Sequence, residues 1–371
     1  MKKGLLFFLL SVCFFFPSSF ATEQYNFIHI NGVNGLSNSH VKSIIQDSYG
    51  FIWLGTRNGL NRYDGVSMQV YPCFDEVSGR GNQVISALYE DDRRQLWVGT
   101  DNGVYIQDLS TGKFSFFDAK TDKGEQISGQ WVEDILSDPS GNIWVNVPNL
   151  GVYRYHVPTK KLFRYILLPG SDKSKNFPQS ICIDKEGTLW VGTNGAGIFR
   201  YCPAQDTFEA CAKEALKDDF IFTLCDYGDE LIVGVHEEEL KRFDKKTGEV
   251  SIFPAVHRKI IRYVVCLDDD LWVGTQDGVY VINERENTVR HIPADAGGAY
   301  GLSDAIVDKI YRDREGGTWI CTQFGGASYL PVRTLDFSIY LPDGKPGSVS
   351  GRRISELGEG KDGTIWVSTQ D

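Results

Sequence analysis

Residues 51–65 read FIWLGTRNGLNRYDG, and this stretch decides the fold because its first half recurs along the chain. Neighbouring copies are 40 to 47 residues apart, and seven of the eight tryptophans of the chain occupy the central position. A repeat of this length with several short strands is typical of β-propeller blades. The central residues are Trp53, Trp97, Trp144, Trp190, Ile232, Trp272, Trp319 and Trp366.

The first repeat predicts four strands, at 41–47, 51–56, 60–64 and 66–72, with an Asn-Gly turn at residues 58–59 that readily takes positive φ. Six copies place an aspartate six residues before the central position. We interpret these as turn residues rather than metal ligands, because an Asp side chain accepts nearby backbone N–H groups. They are Asp47, Asp91, Asp138, Asp184, Asp226 and Asp313.

The regular spacing of the seven repeat tryptophans favours core packing between blades over sugar stacking, since large flat side chains fill the space between packed sheets. Trp131 lies outside the pattern and is the better candidate for ligand contact. The fifth repeat departs from the motif at Ile232 and Val235, which leaves open a degenerate blade or a shaped binding face.

The fold class expected from these repeats is all-β, a seven-bladed propeller of four-stranded antiparallel blades over residues 22–341. The eighth copy, residues 342–371, stops in its second strand. Half a blade exposes unpaired edges, so we expect this segment to be the incomplete first blade of a second propeller in a longer protein. Two segments could supply the strand that closes the first ring, YNFIHI (25–30) or LDFSIY (335–340).

Residues 1–21 have the layout of a secretory signal peptide, with a basic start, an apolar run over 4–16 and small residues before Thr22. The run is shorter than the ~20 residues that a membrane-spanning helix needs. We therefore expect cleavage after Ala21 and export to the periplasm, rather than an uncleaved anchor.

Without Lys2 and Lys3, 36 of the 38 basic side chains remain against 49 acidic ones, which gives a net charge of −13. Such a surface repels nucleic acid, and we predict no nucleic-acid contact. Seven cysteines remain, with wide spacing and no CxxC, which fits neither a disulfide framework nor a zinc site. Cys202 and Cys211 could bridge a hairpin or remain free thiols.

Two segments carry a family resemblance, GLSNSHVKSIIQDSYGFIWLGTRNGLNRYDG (35–65) and GLSDAIVDKIYRDREGGTWICTQFGG (301–326). Both resemble the two-component-regulator propeller repeat. Behind a signal peptide, such repeats resemble the periplasmic sensor region of hybrid two-component histidine kinases that control polysaccharide-utilisation genes in glycan-degrading bacteria.

The resemblance implies a parent protein with two seven-bladed propellers, an Ig-like domain and a membrane helix, followed by cytoplasmic kinase, receiver and helix-turn-helix domains. Such a protein is expected to be anchored in the inner membrane and to act as a homodimer. The resemblance also implies that residues 22–371 bind a glycan-derived oligosaccharide without catalysing a reaction. Any kinase chemistry would belong to the remainder of the polypeptide.

The sequence contains no GxSxG, HExxH, P-loop or dinucleotide fingerprint, and its six histidines share no ligand spacing. We predict no catalytic residue, metal or cofactor. Two alternatives remain open. One is a propeller enzyme, either a quinoprotein dehydrogenase or a glycan lyase or hydrolase, and the other is a non-catalytic periplasmic scaffold that binds proteins.

The candidate binding face follows from blade topology, because loops before the first strand and loops between the second and third strands emerge on the same side. Polar and aromatic residues on this face suit an oligosaccharide. The first set of loops supplies Asn38, His40, Gln130, Trp131, Gln179, Arg262 and Tyr263. The second set supplies Arg57, Asn58, Asp101, Asn102, Asn194, His236, Gln276, Asp277 and Gln323.

Overall fold

The computed structural model describes residues 25–168, 177–211, 214–236, 240–256, 258–295, 301–332, 348–351 and 353–370. These residues form strands and turns apart from one short 3-10 helix, Gly32–Asn34. Within these ranges, no helix has the length and hydrophobicity needed to cross a membrane. The predicted signal peptide, residues 1–21, and the strand candidate at 335–340 lie outside the described residues.

Most strands belong to seven units of four antiparallel strands, which we number as blades 1 to 7 in chain order. The inner strands are β2 (Val41–Gln46), β8 (Ile85–Glu90), β12 (Asp134–Ser137), β16 (Phe177–Ile183), β20 (Lys217–Tyr227), β24 (Ile261–Leu267) and β28 (Val307–Arg312). The second strands are β3 (Ile52–Thr56), β9 (Gln95–Thr100), β13 (Ile143–Val147), β17 (Leu189–Ala196), β21 (Glu230–Val235), β25 (Asp270–Thr275) and β29 (Thr318–Thr322).

The third and outer strands complete the blades. The third strands are β4 (Gly59–Tyr63), β10 (Gly103–Asp108), β14 (Gly151–His156), β18 (Ile198–Cys202), β22 (Leu240–Asp244), β26 (Gly278–Asn283) and β30 (Ala327–Leu330). The outer strands are β5 (Met68–Tyr71), β11 (Phe114–Phe116), β15 (Lys161–Tyr165), β19 (Thr207–Ala210), β23 (Val250–Phe253), β27 (Thr288–Ile292) and β1 (Ile28–Ile30).

Neighbouring blades meet in sequence around a ring. The inner strand of blade 7 returns to the inner strand of blade 1, and blades 4 and 5 also share a β17–β20 pairing. The N-terminal strand β1 completes blade 7 by pairing with β30, with Ile28 opposite Tyr329 and Ile30 opposite Ala327. The segment 25–30 therefore closes this ring, and the all-β propeller prediction is confirmed.

The aspartate of the first turn holds the repeat tryptophan directly. In blade 1, Asp47 Oδ1 accepts the backbone N–H groups of Tyr49 (3.0 Å) and Phe51 (2.9 Å), and its Oδ2 accepts the Trp53 indole N–H at 2.6 Å. The same indole–carboxylate bond recurs in blades 2, 3, 4 and 7. Both the turn interpretation of these acids and the core interpretation of their tryptophans are confirmed.

Blade 5 replaces this bond with an ion pair. Its central residue is Ile232, so Asp226 has no indole to accept from, and Lys245 Nζ contacts the Asp226 carboxylate instead. The same amino group lies 3.4 Å from Asp184 Oδ2 of blade 4. The fifth repeat is therefore a regular four-stranded blade in which an ion pair replaces the indole–carboxylate hydrogen bond.

In five blades a glycine lies two residues after the central position, and in blade 2 close packing between blades requires it. A Cβ atom added to Gly99 would lie 2.7 Å from Val132 Cγ1 and 2.9 Å from Ala87 Cβ. Real Cβ atoms essentially never come so close, so a side chain there would force the inner strands of blades 2 and 3 apart.

Four further strands lie outside the blades. The hairpin of β6 (Cys73–Asp75) and β7 (Arg80–Asn82) connects blades 1 and 2, and sequence reasoning does not predict it. The hairpin of β31 (Arg353–Glu359) and β32 (Ile365–Gln370) pairs with no other strand among the described residues. Trp366 is consequently 69% exposed, so the core prediction is wrong for this tryptophan.

The boundary predicted between residues 341 and 342 falls outside the described residues and stays a prediction. Cys202 and Cys211 are free thiols in this structure. The pairing of β18 with β19 explains why, because Cys202 lies opposite Thr207 at one end of the ladder, whereas Cys211 follows Ala210 at the other end.

Candidate functional site

Inner strands share an irregularity close to their first residue. In blade 1, Val41 pairs with Thr56 and Ser43 with Gly55, so Lys42 is an extra residue in the ladder. Such a β-bulge bends the strand and changes the direction of a side chain. The same register shift singles out one residue in five more blades: Ser86, Gln179, Phe222, Arg262 and Asp308. Glu133 has the equivalent position in blade 3, directly before β12.

These seven bulge residues line a central channel with a volume of ≈ 240 Å³. All seven blades contribute to it, and the bulge position carries a different residue in each. The repeat therefore imposes no residue type there, in contrast to its tryptophan and aspartate positions. The other residues that line the channel are Ser180, Ile181, Thr223, Leu224, Asp134, Tyr263 and Lys309.

Asp308 joins three blades on one side of the channel. Its carboxylate accepts a hydrogen bond from Arg262 Nε of blade 6 at 2.9 Å and lies 2.8 Å from His40 Nε2 of blade 1. Burial alone would raise the pKa of Asp308, but the hydrogen bond from His40 and the charge of Arg262 outweigh burial and lower it. At neutral pH this carboxylate is therefore ionised, and its negative charge is balanced by the neighbouring Arg262.

Glu133 is the centre of a second group. Its carboxylate lies 3.0 Å from Lys42 Nζ and accepts the indole N–H of Trp131 at 2.6 Å. The Lys42 ammonium also lies 4.6 Å from the centre of the Trp131 ring, a cation–π contact. Lys42 reaches blade 3 across the small side chain of Ser86, whose hydroxyl donates to the Val132 carbonyl at 2.5 Å.

The remaining polar groups of the channel are not paired in this way. The Lys309 ammonium lies 4.6 Å from the centre of the Tyr263 ring, and no carboxylate among the described residues is within ion-pair distance of it. Burial would lower the pKa of Lys309, but Tyr263 and the more distant Asp134 and Glu133 raise it, so the side chain is charged. Burial raises the pKa of Tyr263, which keeps its phenol neutral.

The structure brings five of the sixteen predicted site residues to the channel. Gln179, Arg262 and Tyr263 line it, and His40 and Trp131 bind its carboxylates. His236 is near the same mouth, because its ring lies 5.3 Å from that of Phe222. Whether any of these residues contacts a ligand stays a prediction.

The other predicted residues lie in loops and strands around the ring, and several of them shape turns. Asn38 Oδ1 accepts the His40 N–H at 2.8 Å, and the Gln130 carbonyl accepts the Gly103 N–H at 2.8 Å. Asn194 lies on β17 and pairs with Phe220 of blade 5. The rest occupy the loops between second and third strands: Arg57, Asn58, Asp101, Asn102, Gln276, Asp277 and Gln323.

Within those loops, two acids already have partners. Asp101 Oδ1 accepts from Asn82 Nδ2 at 2.7 Å, and Asp277 forms an ion pair with Lys259. Arg57 and Gln276 are exposed. The channel, rather than these loops, concentrates polar groups from all blades in one place.

Sequence reasoning misses eleven of the residues that line the channel, among them Lys42, Ser86, Glu133, Asp134, Phe222, Asp308 and Lys309. A usable signal exists, because the bulge residue lies 11 positions before the repeat tryptophan in blades 1, 2, 3, 4 and 7. The distance is 10 positions in blades 5 and 6. Taking the residue at this offset in every repeat recovers the ring of bulge residues.

Comparison with known proteins connects this fold to signalling proteins. The family model "Two component regulator propeller" matches residues 35–58, 78–102 and 172–195. A stretch of 59 residues is 39% identical to Histidine kinase P4 of Formosa agariphila, which amounts to 15% of this chain and 4% of that protein.

Solved structures match over most of the chain. The extracellular domain of BT4673 from B. thetaiotaomicron, described as a one component or a hybrid two component system, is 25% identical with a TM-score of 0.69. The match covers 93% of this chain and 44% of that chain. The extracellular domain of BT3049, described as a hybrid two component system of the same organism, has the same fold, with 22% identity, a TM-score of 0.75, and coverage of 93% and 47%.

This chain spans less than half the length of those extracellular domains. The matched segments include the first turn and the tryptophan strand of blade 1, where the Asp47–Trp53 bond forms. The chain therefore carries two-component regulator propeller repeats and, over most of its length, is similar to the extracellular domains of hybrid two-component systems.

Proposed function

We propose that this chain is the ligand-sensing extracellular region of a two-component signalling protein, and that its ligand is an oligosaccharide released from a glycan. One observation carries the proposal, namely the ring of seven different bulge residues around the central channel. The regulator-propeller repeats and the similarity to extracellular domains of hybrid two-component systems support the signalling role.

The chemistry of the channel suits a sugar. Saccharide hydroxyl groups need donors and acceptors in fixed positions, and the apolar faces of sugar rings pack on aromatic side chains. The channel offers amide, carboxylate and ammonium groups, and it adds the rings of Phe222 and Tyr263. Binding becomes a signal only if the ligand has different affinities for two conformations of the sensor.

The rest of the signalling protein is part of the same proposal. By resemblance, the parent polypeptide adds a second propeller, an Ig-like domain, a membrane helix and a cytoplasmic kinase, and it works as a homodimer. The propeller would then lie in the periplasm, and the output would be transcription of polysaccharide-utilisation genes.

Isothermal titration calorimetry of the chain tests the proposal. The probes are maltohexaose, xylohexaose, mannohexaose and cellohexaose, together with an oligogalacturonate. We expect saturable heat with one class and no new reducing ends after hours of incubation. Turnover of a probe would overturn the non-catalytic role in favour of an enzyme, and the absence of binding to every probe would overturn the glycan assignment.

A further inference from the structure

The polar side chains that line the central channel form two groups, which differ in how they are satisfied. In the first group, Asp308 is held by Arg262 and His40, and Glu133 is held by Lys42 and Trp131. These contacts use side chains of blades 1, 3, 6 and 7. A ligand would have to break them before it could replace them.

The second group retains unused hydrogen-bonding groups. Gln179 makes no side-chain hydrogen bond to the described residues, although it lines the channel. Among the described residues, the Asp134 carboxylate accepts only the N–H of Ile135, at 3.0 Å. Lys309 contacts the Tyr263 ring but, within the described part of the chain, no carboxylate.

These groups complement a vicinal diol. The Lys309 ammonium and the Gln179 amide can donate hydrogen bonds to hydroxyl oxygens, and the Asp134 carboxylate can accept from hydroxyl hydrogens. Phe222, the bulge residue of blade 5, adds an apolar surface against which a sugar ring can pack.

The size of the channel limits what can enter. At ≈ 240 Å³ it is smaller than the ~300–1,000 Å³ typical of sites that enclose a whole drug-sized ligand. The space suits one sugar ring entering end-on rather than a chain lying across it. The charges limit the choice further, since an acidic sugar would gain Lys309 but meet the unpaired carboxylate of Asp134.

We propose that Gln179, Phe222, Asp134 and Lys309 form a subsite that binds a single uncharged terminal sugar residue of the oligosaccharide, end-on in the central channel. This inference rests on the proposed function, because it identifies the part of the ligand that the sensor recognises. Interior residues of the same oligosaccharide would lie outside the channel.

Titration of variants tests the subsite with whichever neutral hexasaccharide binds the unaltered chain. We expect Lys309→Met and Gln179→Ala each to weaken binding about tenfold or more, which corresponds to the loss of one hydrogen bond to a charged group or a desolvated amide. Lys246→Met is the matched control, because Lys246 is an exposed lysine whose ion-pair partner is the exposed Asp229. It should bind as the unaltered chain does.

A second measurement separates end-on from lengthwise binding. The free monosaccharide of the terminal residue should compete for the channel, and the trisaccharide and hexasaccharide of the same series should bind with nearly equal affinity. An affinity that rises with every added residue would indicate lengthwise binding and overturn the end-on subsite. Thermal unfolding checks that each variant folds. Gln179→Ala keeps the test valid if Lys309→Met does not fold, since Gln179 bonds to no described side chain.

The outcomes for the two proposals are distinguishable. If the unaltered chain binds no saccharide, the proposed function and the subsite both fail. If it binds a hexasaccharide and the two channel variants bind equally well, only the subsite is wrong. Binding of oligogalacturonate in preference to every neutral probe would overturn the uncharged terminal residue and leave the oligosaccharide sensor in place.

Discussion

At the turn that ends the inner strand, five blades place the same aspartate beneath the same tryptophan, with indole-to-carboxylate distances of 2.6 to 3.0 Å. At the bulge that begins the inner strand, no two of the seven blades carry the same residue. Both positions belong to one short segment of the repeat. The difference separates a packing requirement that recurs from blade to blade from a channel surface that exists only in the assembled ring.

The turn end meets the same physical demand in five blades, because each of these must pack a tryptophan between sheets and satisfy its indole N–H. The bulge end faces a channel that is formed once, by all blades together. Its residues can therefore differ without cost to the repeat. The comparison predicts that substitutions at the turn end reduce stability and that substitutions at the unpaired bulge positions affect binding.

The largest effect is expected from Trp144→Ala. Trp144 is fully buried, its ring lies 4.7 Å from that of Tyr201, and its indole N–H bonds to Asp138 at 2.8 Å. Removing such a side chain should lower the free energy of unfolding by about 3–5 kcal/mol. Urea denaturation followed by circular dichroism measures this loss.

The control for that prediction is Trp366→Ala. Trp366 has the same position in the repeat but is 69% exposed, so its removal should change the free energy of unfolding by about 0.5 kcal/mol or less. Equal losses at the two positions would show that burial between blades is not what makes the repeat tryptophan stabilising.

The next largest effect is expected at Lys245 of blade 5, whose ion pair replaces the indole–carboxylate hydrogen bond. Lys245→Met removes the cation shared by Asp226, Asp184 and Glu186, which leaves their carboxylates close together. Lys245 is largely buried, so we expect a loss of about 2–3 kcal/mol at pH 7, below the full cost of breaking a completely buried ion pair. Lys246→Met, on the exposed neighbouring residue, should be nearly neutral.

The dependence of this loss on pH identifies its cause. Burial would raise the pKa of Asp184, but hydrogen bonds from Trp190 and Thr188 and the charge of Lys245 hold it below its ordinary value. A depressed carboxyl pKa adds stability above the unfolded value of about 3.9 and loses it as the pH falls through the folded value. The gap between Lys245→Met and the unaltered chain should therefore shrink below about pH 4. A gap that stays constant with pH would indicate lost packing instead of lost charge.

Sequence reasoning succeeds where a blade encodes its own structure. The spacing of the tryptophans predicts the propeller, and the Asp-Gly pairs predict the turn, since Gly50 has a φ of 99° and Asp47 accepts the surrounding N–H groups. Both signals are local and repeated, so a single chain displays them several times.

The channel is harder to predict from sequence, because each blade contributes only one to three of its side chains. Lys42 and Glu133 are 91 positions apart, and His40 and Asp308 are 268 apart. Only the assembly of the blades into a ring brings such residues together. The exposure of Trp366 is also a property of the surroundings, since its local sequence matches that of the buried tryptophans.

A smaller effect is expected for Asp308→Asn, at a bulge position whose side chain is paired. The substitution keeps the shape but removes the charge that holds Arg262 and His40, so we expect a loss of about 1–2 kcal/mol at pH 7. Since the pKa of Asp308 is lowered in the folded protein, the loss should fade as the pH drops below about 4. Asp134→Asn should cost less in the same urea titration, because within the described part of the chain the Asp134 carboxylate accepts only a neighbouring N–H.

The smallest effect on stability is expected for Gln179→Ala, and Gln46→Ala provides its counterpart at the other end of an inner strand. Gln46 Nε2 donates to the carboxylate of Glu315 at 2.9 Å, and its Oε1 accepts the Arg314 N–H at 2.8 Å, so this amide ties blade 1 to blade 7. Its removal should cost about 1–2 kcal/mol, because partners on blade 7 lose their bonds.

Gln179 lines the channel and makes no such bonds to the described residues, so its removal should change the free energy of unfolding by about 0.5 kcal/mol or less. Urea denaturation of the two variants side by side compares the same chemical change at the two ends. A larger loss at Gln179 than at Gln46 would mean that the bulge position stabilises the ring, and the division between a structural turn and a free channel would have to be abandoned.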